Sequence, residues 1–266
     1  MGMASTATER RWSRWFVATV VVALTLLTVP LSSVAAQQTG NVSTQSFVAV
    51  QDGECTPVTP ISGDASAREF YDYRVEDPEN PYSNTTGDSY ASEGTVPLQR
   101  ANTSILFLYT DTNGTSDPDD DTVSLMVVNG NLDNQNSTGG YATFNITGLP
   151  ADGRWAVKDD DYDDDQSWDN WSADAGDTVV DWAWSSASTD GGAYSGLDAD
   201  TSVVLNASFD DDATFAENDY YDGTVAQWEL LSNESDGNVS RRTLESDVPL
   251  SIDGGSCADS RTADDT

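Results

Sequence analysis

The sequence predicts an all-β fold, a single antiparallel β-sandwich or jelly-roll domain standing behind an export signal. Three observations lead there. Short runs rich in Val, Ile, Leu, Phe, Tyr and Trp recur between clusters of Gly, Asp, Asn and Pro. Several of these runs alternate apolar and polar residues with a period of two. No amphipathic stretch of three helical turns interrupts them, although 65–71 has the composition of one short helix.

The chain starts with a segment that does not belong to that domain. Arg10, Arg11 and Arg14 precede an uncharged run from Trp15 to Ala36, which ends in Pro30, Ser32-Ser33 and the small residues Val34 and Ala36. A positive start, an apolar middle and a small-residue end are the three parts of a secretory signal, so residues 1–36 are read as a signal peptide with Gln37 as the first mature residue. The alternative is a retained anchor, since about 20 apolar residues can cross a bilayer. Pro30 and the serines break the helix an anchor would need, which favours cleavage. The Arg10-Arg11 pair hints at twin-arginine export, but its flanking residues fit that signal poorly.

The domain is expected over 37–257, with an acidic disordered tail at 258–266. Strands are predicted near 45–51, 69–75, 104–109, 122–128, 141–147, 154–158, 178–184, 202–209, 224–231 and 247–252. Phe144 and Ile146 point one way, Thr143 and Asn145 the other; Val203, Leu205, Ala207 and Phe209 share a face opposite Asn206 and Ser208. Val180, Trp182 and Trp184 likewise oppose Asp181. Pro150-Ala-Asp-Gly153 reads as a hairpin turn, and Thr189-Asp-Gly-Gly192 and Asp222-Gly223 as further turns. The first strand segment, 41–50, either completes its own sheet or adds to the edge of a neighbour's; the first is the simpler expectation.

Charge says where such a domain works. The chain has 46 acidic and 11 basic residues, no histidine, and a formal charge of −35. Residues 1–36 carry one glutamate and three arginines, so the mature chain keeps 45 acidic and eight basic residues and a formal charge of −37. In dilute buffer that charge strains any compact state. In molar salt the screening length falls to about 3 Å and the repulsion largely disappears. The acids are interleaved with strand sequence rather than gathered in a tail, which points to adaptation to high salt. Nucleic acid and anionic membrane surfaces are excluded as direct partners. The two cysteines, Cys55 and Cys257, lie near the two ends of the mature chain; in an exported protein they are expected to form a disulfide, bringing those ends together in one domain.

Acceptor sites for N-glycosylation are dense: Asn41, Asn84, Asn102, Asn113, Asn136, Asn145, Asn170, Asn206, Asn233 and Asn238 each precede Ser or Thr by two, with no proline between. Acidic loops offer oxygen ligands for calcium, which takes six to eight. The candidates are Asp159, Asp160, Asp161, Asp163 and Asp165 in one run, and Asp111, Asn113, Asp117 and Asp119 around Gly114 in another. The second run is no EF-hand, since Thr122 stands where a bidentate Glu is needed. Asp210-Asp-Asp212 is a third cluster. Calcium is therefore the one cofactor expected. Trp155, Trp182 and Trp228 fall on inward faces, whereas Trp168 and Trp171 sit in an acidic stretch and are the candidates for stacking on a sugar ring. Catalysis has little to stand on. Without histidine there is no Ser-His-Asp triad and no histidine-ligated zinc. No nucleophile elbow or phosphate-binding loop is present, and in so acidic a chain a pair of carboxylates is no signal for glycoside hydrolysis.

The run Gly148-Leu-Pro-Ala-Asp-Gly-Arg-Trp-Ala-Val-Lys-Asp-Asp-Asp161, with Asp181-Trp-Ala-Trp184 and Thr189-Asp-Gly-Gly192, resembles secreted surface glycoproteins of haloarchaea. The resemblance extends to the general make-up of the mature chain. It implies a non-catalytic extracellular protein that binds or assembles at the cell surface, with other surface proteins or itself as partner. A secreted carbohydrate-binding module is the alternative, with polysaccharide as partner, and a glycoside-active enzyme a distant third. Such proteins often end in a hydrophobic anchor. This sequence ends Thr262-Ala-Asp-Asp-Thr266, and no cysteine follows the apolar run to take a lipid, so release from the membrane is expected.

Overall fold

The computed structural model describes residues 45–74, 91–133, 138–161, 169–174, 176–215 and 223–260. The chain divides into two compact units, 1–41 and 42–266, and all described residues belong to the second. In chain order the strands are β1 (Phe47–Gln51), β2 (Glu54–Val58), β3 (Ile61–Gly63), β4 (Tyr73–Arg74), β5 (Ala91–Ser92), β6 (Thr103–Asp111), β7 (Thr122–Gly130) and β8 (Gly140–Thr147). They continue as β9 (Arg154–Lys158), β10 (Asn170–Asp174), β11 (Asp177–Trp184), β12 (Thr189–Leu197), β13 (Ser202–Phe209), β14 (Gln227–Asn233), β15 (Val239–Leu244) and β16 (Leu250–Gly254). Two short α-helices, α1 (Ala67–Tyr71) and α2 (Cys257–Ser260), and three 3₁₀ turns accompany them among the described residues.

Fourteen of these strands form two sheets packed face to face, and β4 pairs only with β5. Sheet A runs β10-β11-β8-β13-β16-β1-β2, and sheet B runs β15-β14-β6-β7-β12-β9, with β3 also paired to β6. The predicted all-β sandwich is the observed fold. It departs from strict antiparallelism at one place, because β6 pairs in parallel with both β14 and β3.

Alternation along the strands builds the interior. Phe144, Ile146, Val180, Trp182, Val203 and Leu205 point inward from sheet A and meet Leu106, Leu108, Leu125, Val127 and Trp228 of sheet B. Phe144 takes Trp182 and Trp228 edge-on at 5.2 and 5.9 Å between ring centroids. Each such side chain contributes roughly 1.5–3 kcal/mol by leaving water. A second core covers the outer face of sheet B, where Ile105, Phe107, Tyr109, Met126 and Val128 lie beneath α1 and β4. This explains why β6 and β7 read as nearly continuous apolar runs: both of their faces are buried.

Several expectations are corrected. In the stretch expected as a strand at 69–75, the described residues 69–74 are the end of α1 followed by β4, because Ser66 and Glu69 form a reciprocal capping box that starts a helix. Pro150–Gly153 does close a turn, Gly153 N–H to Pro150 O at 3.0 Å, yet it carries the chain from β8 in sheet A to β9 in sheet B and is no hairpin. Thr189-Asp-Gly-Gly192 is the first half of β12. Its glycines are there for space: a Cβ on residue 191 would lie 2.1 Å from Val127 O, and one on residue 192 would meet Trp155 and Trp171 at 3.0 Å. The strands β2, β10, β12 and β15 were not expected, since their sequences are polar or small.

β1 lies inside its own sheet, between β16 and β2. Cys55 of β2 and Cys257 of α2 form a disulfide, with 5.7 Å between their Cα atoms. The first residues after Cys257 are helical, through Ser260. The signal segment, residues 37–44 and 261–266 lie outside the described residues. Among the described residues no helix is long and apolar enough to cross a membrane.

Candidate functional site

The most unusual chemistry of the domain lies at the flank where edge strands β9 and β10 meet. Trp155 of β9 and Trp171 of β10 pack edge-on at 4.9 Å, and Trp171 meets Trp182 of the core at 5.6 Å. β9 ends at Lys158, and the chain turns through Asp159 and Asp160, the latter with a positive φ of 48°. Asp159 still donates its N–H to Gly191 O at 3.2 Å, so the turn is held against β12. Asp169 stands immediately before β10, and Asp190 is the second residue of β12.

These elements gather buried acids. Asp159, Asp160, Asp169 and Asp190 are 1%, 7%, 6% and 1% exposed. Tyr71, from the end of α1, donates its hydroxyl to Asp159 Oδ2 at 2.7 Å, and Tyr73 of β4 donates to Asp160 Oδ1. Asp190 accepts from the N–H groups of Ala183 and Gly191, at 3.1 and 2.9 Å. Trp171 Nε1 closes the site by donating to Asp159 O at 3.1 Å. Both carboxyl oxygens of Asp169 are buried with no partner but the neighbouring carboxyl of Asp190, and Asp159 Oδ1 is buried without a hydrogen-bond partner. So are both amide atoms of Asn129, the residue directly opposite Asp190 on β7.

Burial raises the pKa of Asp159, Asp169 and Asp190 well above the usual carboxylate range, because a charge there is cut off from water. Mutual repulsion acts in the same sense: Asp190 and Asp160 press on both Asp159 and Asp169, and Asp160 presses on Asp190. The hydroxyls on Asp159 oppose the shift there, and on Asp190 a hydrogen bond shared with the Asp169 carboxyl and then the backbone N–H groups do so, without cancelling it. The same burial, then the field of Asp159, pushes the Tyr71 hydroxyl up. Among the described ion pairs none reaches Asp159, Asp169 or Asp190. Lys158 pairs instead with Asp161 at 3.0 Å.

The predicted calcium run is thus split. Asp159 and Asp160 enter the buried site, Asp161 faces the surface, and Asp163, Asp165 and Trp168 lie outside the described residues. Asp169 and Asp190 were not predicted. Asp190 was hidden inside a Gly-rich stretch read as a turn, and Asp169, between Trp168 and Asn170, had only the adjacent tryptophan as a signal. The other acidic run does not converge. Asp111 Oδ1 accepts from Asn113 N–H, Asp117 Oδ1 accepts from Asp119 N–H, and Asn113 Nδ2 donates to Asp120 O, so its side chains are used in holding the loop. Asp119 instead lines an open groove of about 700 Å³, together with Asp121, Phe47, Pro57 and Val123. Asp210 takes Val225 N–H on both oxygens, and its pKa is raised by burial. Among the described residues no group of three or more His, Cys, Asp or Glu has the arrangement that holds a metal ion.

Trp171, expected as a sugar platform, is half-buried between two other indoles with its N–H engaged. Of the glycan acceptors, Asn145 and Asn206 are exposed and directly opposite each other on β8 and β13. Asn170, Asn113 and Asn238 are exposed with their Nδ2 groups bonded to Asp181, Asp120 O and Asp236. Asn102 and Asn233 are half-buried, and Asn41, Asn84 and Asn136 lie outside the described residues. No protein-family model, no curated protein and no solved structure matches the chain.

Proposed function

We propose that this chain is a non-catalytic extracellular glycoprotein of a halophile, exported through its N-terminal segment and acting at the cell surface by binding or assembly, with calcium as its cation. The observation that carries this reading is the outer face of sheet A. Asn145, Asn206 and Asn170 all lie on it, on three of four neighbouring strands, so glycans there would coat one broad side of the sandwich. The other side, the outer face of sheet B, is already covered by α1 and the β4–β5 pair. The disulfide fits an oxidising compartment. The buried acids stand behind Trp171 and Tyr71 instead of lining a cleft, which supports a structural over a catalytic role for them.

Sedimentation velocity in molar salt, with calcium and then with a chelator, tests the assembly part. Large species that form with calcium and dissolve with the chelator are expected. A single monomer peak in both conditions moves the assignment to a soluble binding module.

A further inference from the structure

We infer that Asp159, Asp169 and Asp190, with Asn129 beside them, form an internal calcium site that stabilises the sandwich from within. The inference deepens the calcium part of the proposed function by placing the ion inside one chain instead of between chains.

The argument is one of charge and satisfaction. Three carboxylates are at least nine-tenths buried in one place, and among the described ion pairs none reaches them. Buried charge is tolerated only when paired or bound to a metal. Elsewhere the chain meets that requirement itself: Glu229, 4% exposed, holds Arg100 at 3.3 Å and Arg241 at 2.6 Å. At the β9–β10 flank the described ion pairs supply no such cation, so the acids are neutralised either by taking up protons or by a cation from solution, and their geometry favours the cation. The unpartnered atoms say what kind. Asp159 Oδ1 and Asn129 Oδ1 are buried acceptors with nothing donating to them, and both oxygens of Asp169 lack a donor other than the neighbouring carboxyl of Asp190, with which Asp169 can share a proton. Asn129 lies opposite Asp190 in the antiparallel register, which puts the two side chains on the same face of sheet B.

Oxygen-only ligands, mixed carboxylate and amide, with several negative charges and little room for water, suit calcium. Magnesium keeps several of its waters and demands octahedral geometry, and zinc prefers nitrogen and sulfur. Monovalent ions would leave most of the charge uncompensated. The ligands are gathered but not closed, so the ion would draw Asp169 and Asp159 inward. Trp171, bonded to Asp159 O, would register that movement.

The test uses the full mature chain, stripped with EGTA in molar NaCl and titrated with CaCl₂, read by calorimetry and by tryptophan fluorescence. One saturable site per chain is expected, with a fluorescence change that saturates in step. Asp169→Asn should lower the affinity at least tenfold, and Asp161→Asn, a surface control, should leave it unchanged. If Asp169→Asn fails to fold, Asn129→Leu replaces it with the same expectation. No saturable site in molar NaCl overturns the inference. So does a site that survives Asp169→Asn but is lost in Asp119→Asn. Because binding is read on single chains, a missing site and a missing assembly are separate results.

Discussion

At the flank where β2 and β15 meet, the sandwich is closed by cations the chain carries itself; at the opposite flank, where β9 and β10 meet, it is closed by indole rings over acids. On the first side Arg242 of β15 reaches Thr56 and Glu54 of β2, crossing from sheet B to sheet A, with Glu54 at 3.0 Å. Arg241 holds Glu229 and donates to Leu98 O, Arg100 adds to Glu229, and the Cys55–Cys257 bond ties β2 to the chain end. On the second side Trp155 and Trp171 interlock over Asp159, Asp169 and Asp190. Three of the eight basic residues beyond residue 36 sit at one flank. The difference teaches where this protein depends on its surroundings. The arginine flank carries its own counter-charges, whereas the inferred calcium site would make the acidic flank take its counter-charge from the medium.

The largest effect is expected at the arginine flank. Cys55 and Cys257 are 202 residues apart, and releasing a loop of that size costs about 5 kcal/mol in the chain-entropy model. Urea unfolding of the Cys55→Ser, Cys257→Ser double variant in molar NaCl should show that loss equally with calcium or EGTA. A loss confined to EGTA would mean that the two flanks are coupled.

Next comes Arg241→Met, which leaves Glu229 buried with only the half-exposed Arg100. Breaking a buried pair by removing one partner costs about 3 kcal/mol. The midpoint of urea unfolding should fall by the corresponding amount, independent of calcium. At the other flank Trp171→Ala removes an indole packed on two others, with an expected loss also of about 3 kcal/mol. Its loss should grow when calcium is present, since the variant also uncovers the acids. Equal losses in both conditions would show that the ring only fills space.

The sharpest contrast is one of sign. Glu229→Gln takes a charge away from two arginines and should destabilise. Asp169→Asn takes a charge away from other acids and should stabilise by about 1 kcal/mol in EGTA, because a buried unpartnered carboxylate is removed. With calcium the same variant should become the less stable chain. Thermal unfolding of both variants with and without calcium reads this directly, and a parallel response of the two would erase the distinction between the flanks.

How much of this was legible in the sequence follows from what each signal measures. Period-two alternation located β8, β11 and β13 almost to the residue, because each has one face on the core and one outward. Phe144 against Asn145 and Leu205 against Asn206 show it plainly. β12 was missed because its glycines exist to let Trp155, Trp171 and Val127 approach, a tertiary requirement with no local periodicity. α1 was half-visible: the Ser66–Glu69 box is a local signal, but the following Tyr71 and Tyr73 look like strand. Of the candidate site, Asp159 and Asp160 stood in a conspicuous run of acids. Asp169 and Asp190 were single letters among many in a chain with 46 acidic residues, and only packing distinguishes a buried aspartate from a solvated one.

The smallest effect tests whether crowded acids perturb their neighbours outside that flank too. Tyr109, on the outer face of sheet B, donates its hydroxyl to Ala65 O at 2.7 Å and stacks on Phe70 at 4.2 Å. Burial, then the fields of Asp111 and Asp64, pushes its pKa from 10.0 up to about 12. A folded-state pKa above the unfolded one means that the hydroxyl stabilises fully below about pH 10, and that this contribution fades as pH rises through 12. Tyr109→Phe should therefore cost about 1 kcal/mol at pH 8, the lost hydrogen bond. The stability of the variant should meet that of the native chain between pH 10 and 12 and then pass it, because the linkage over that range exceeds the worth of the hydrogen bond. Since the other tyrosines are common to both chains, the difference isolates Tyr109. A constant gap across that range would mean that the hydroxyl titrates alike in the folded and unfolded chains. Raising NaCl should leave the crossing in place, because salt screens the exposed Asp64 more than it relieves burial.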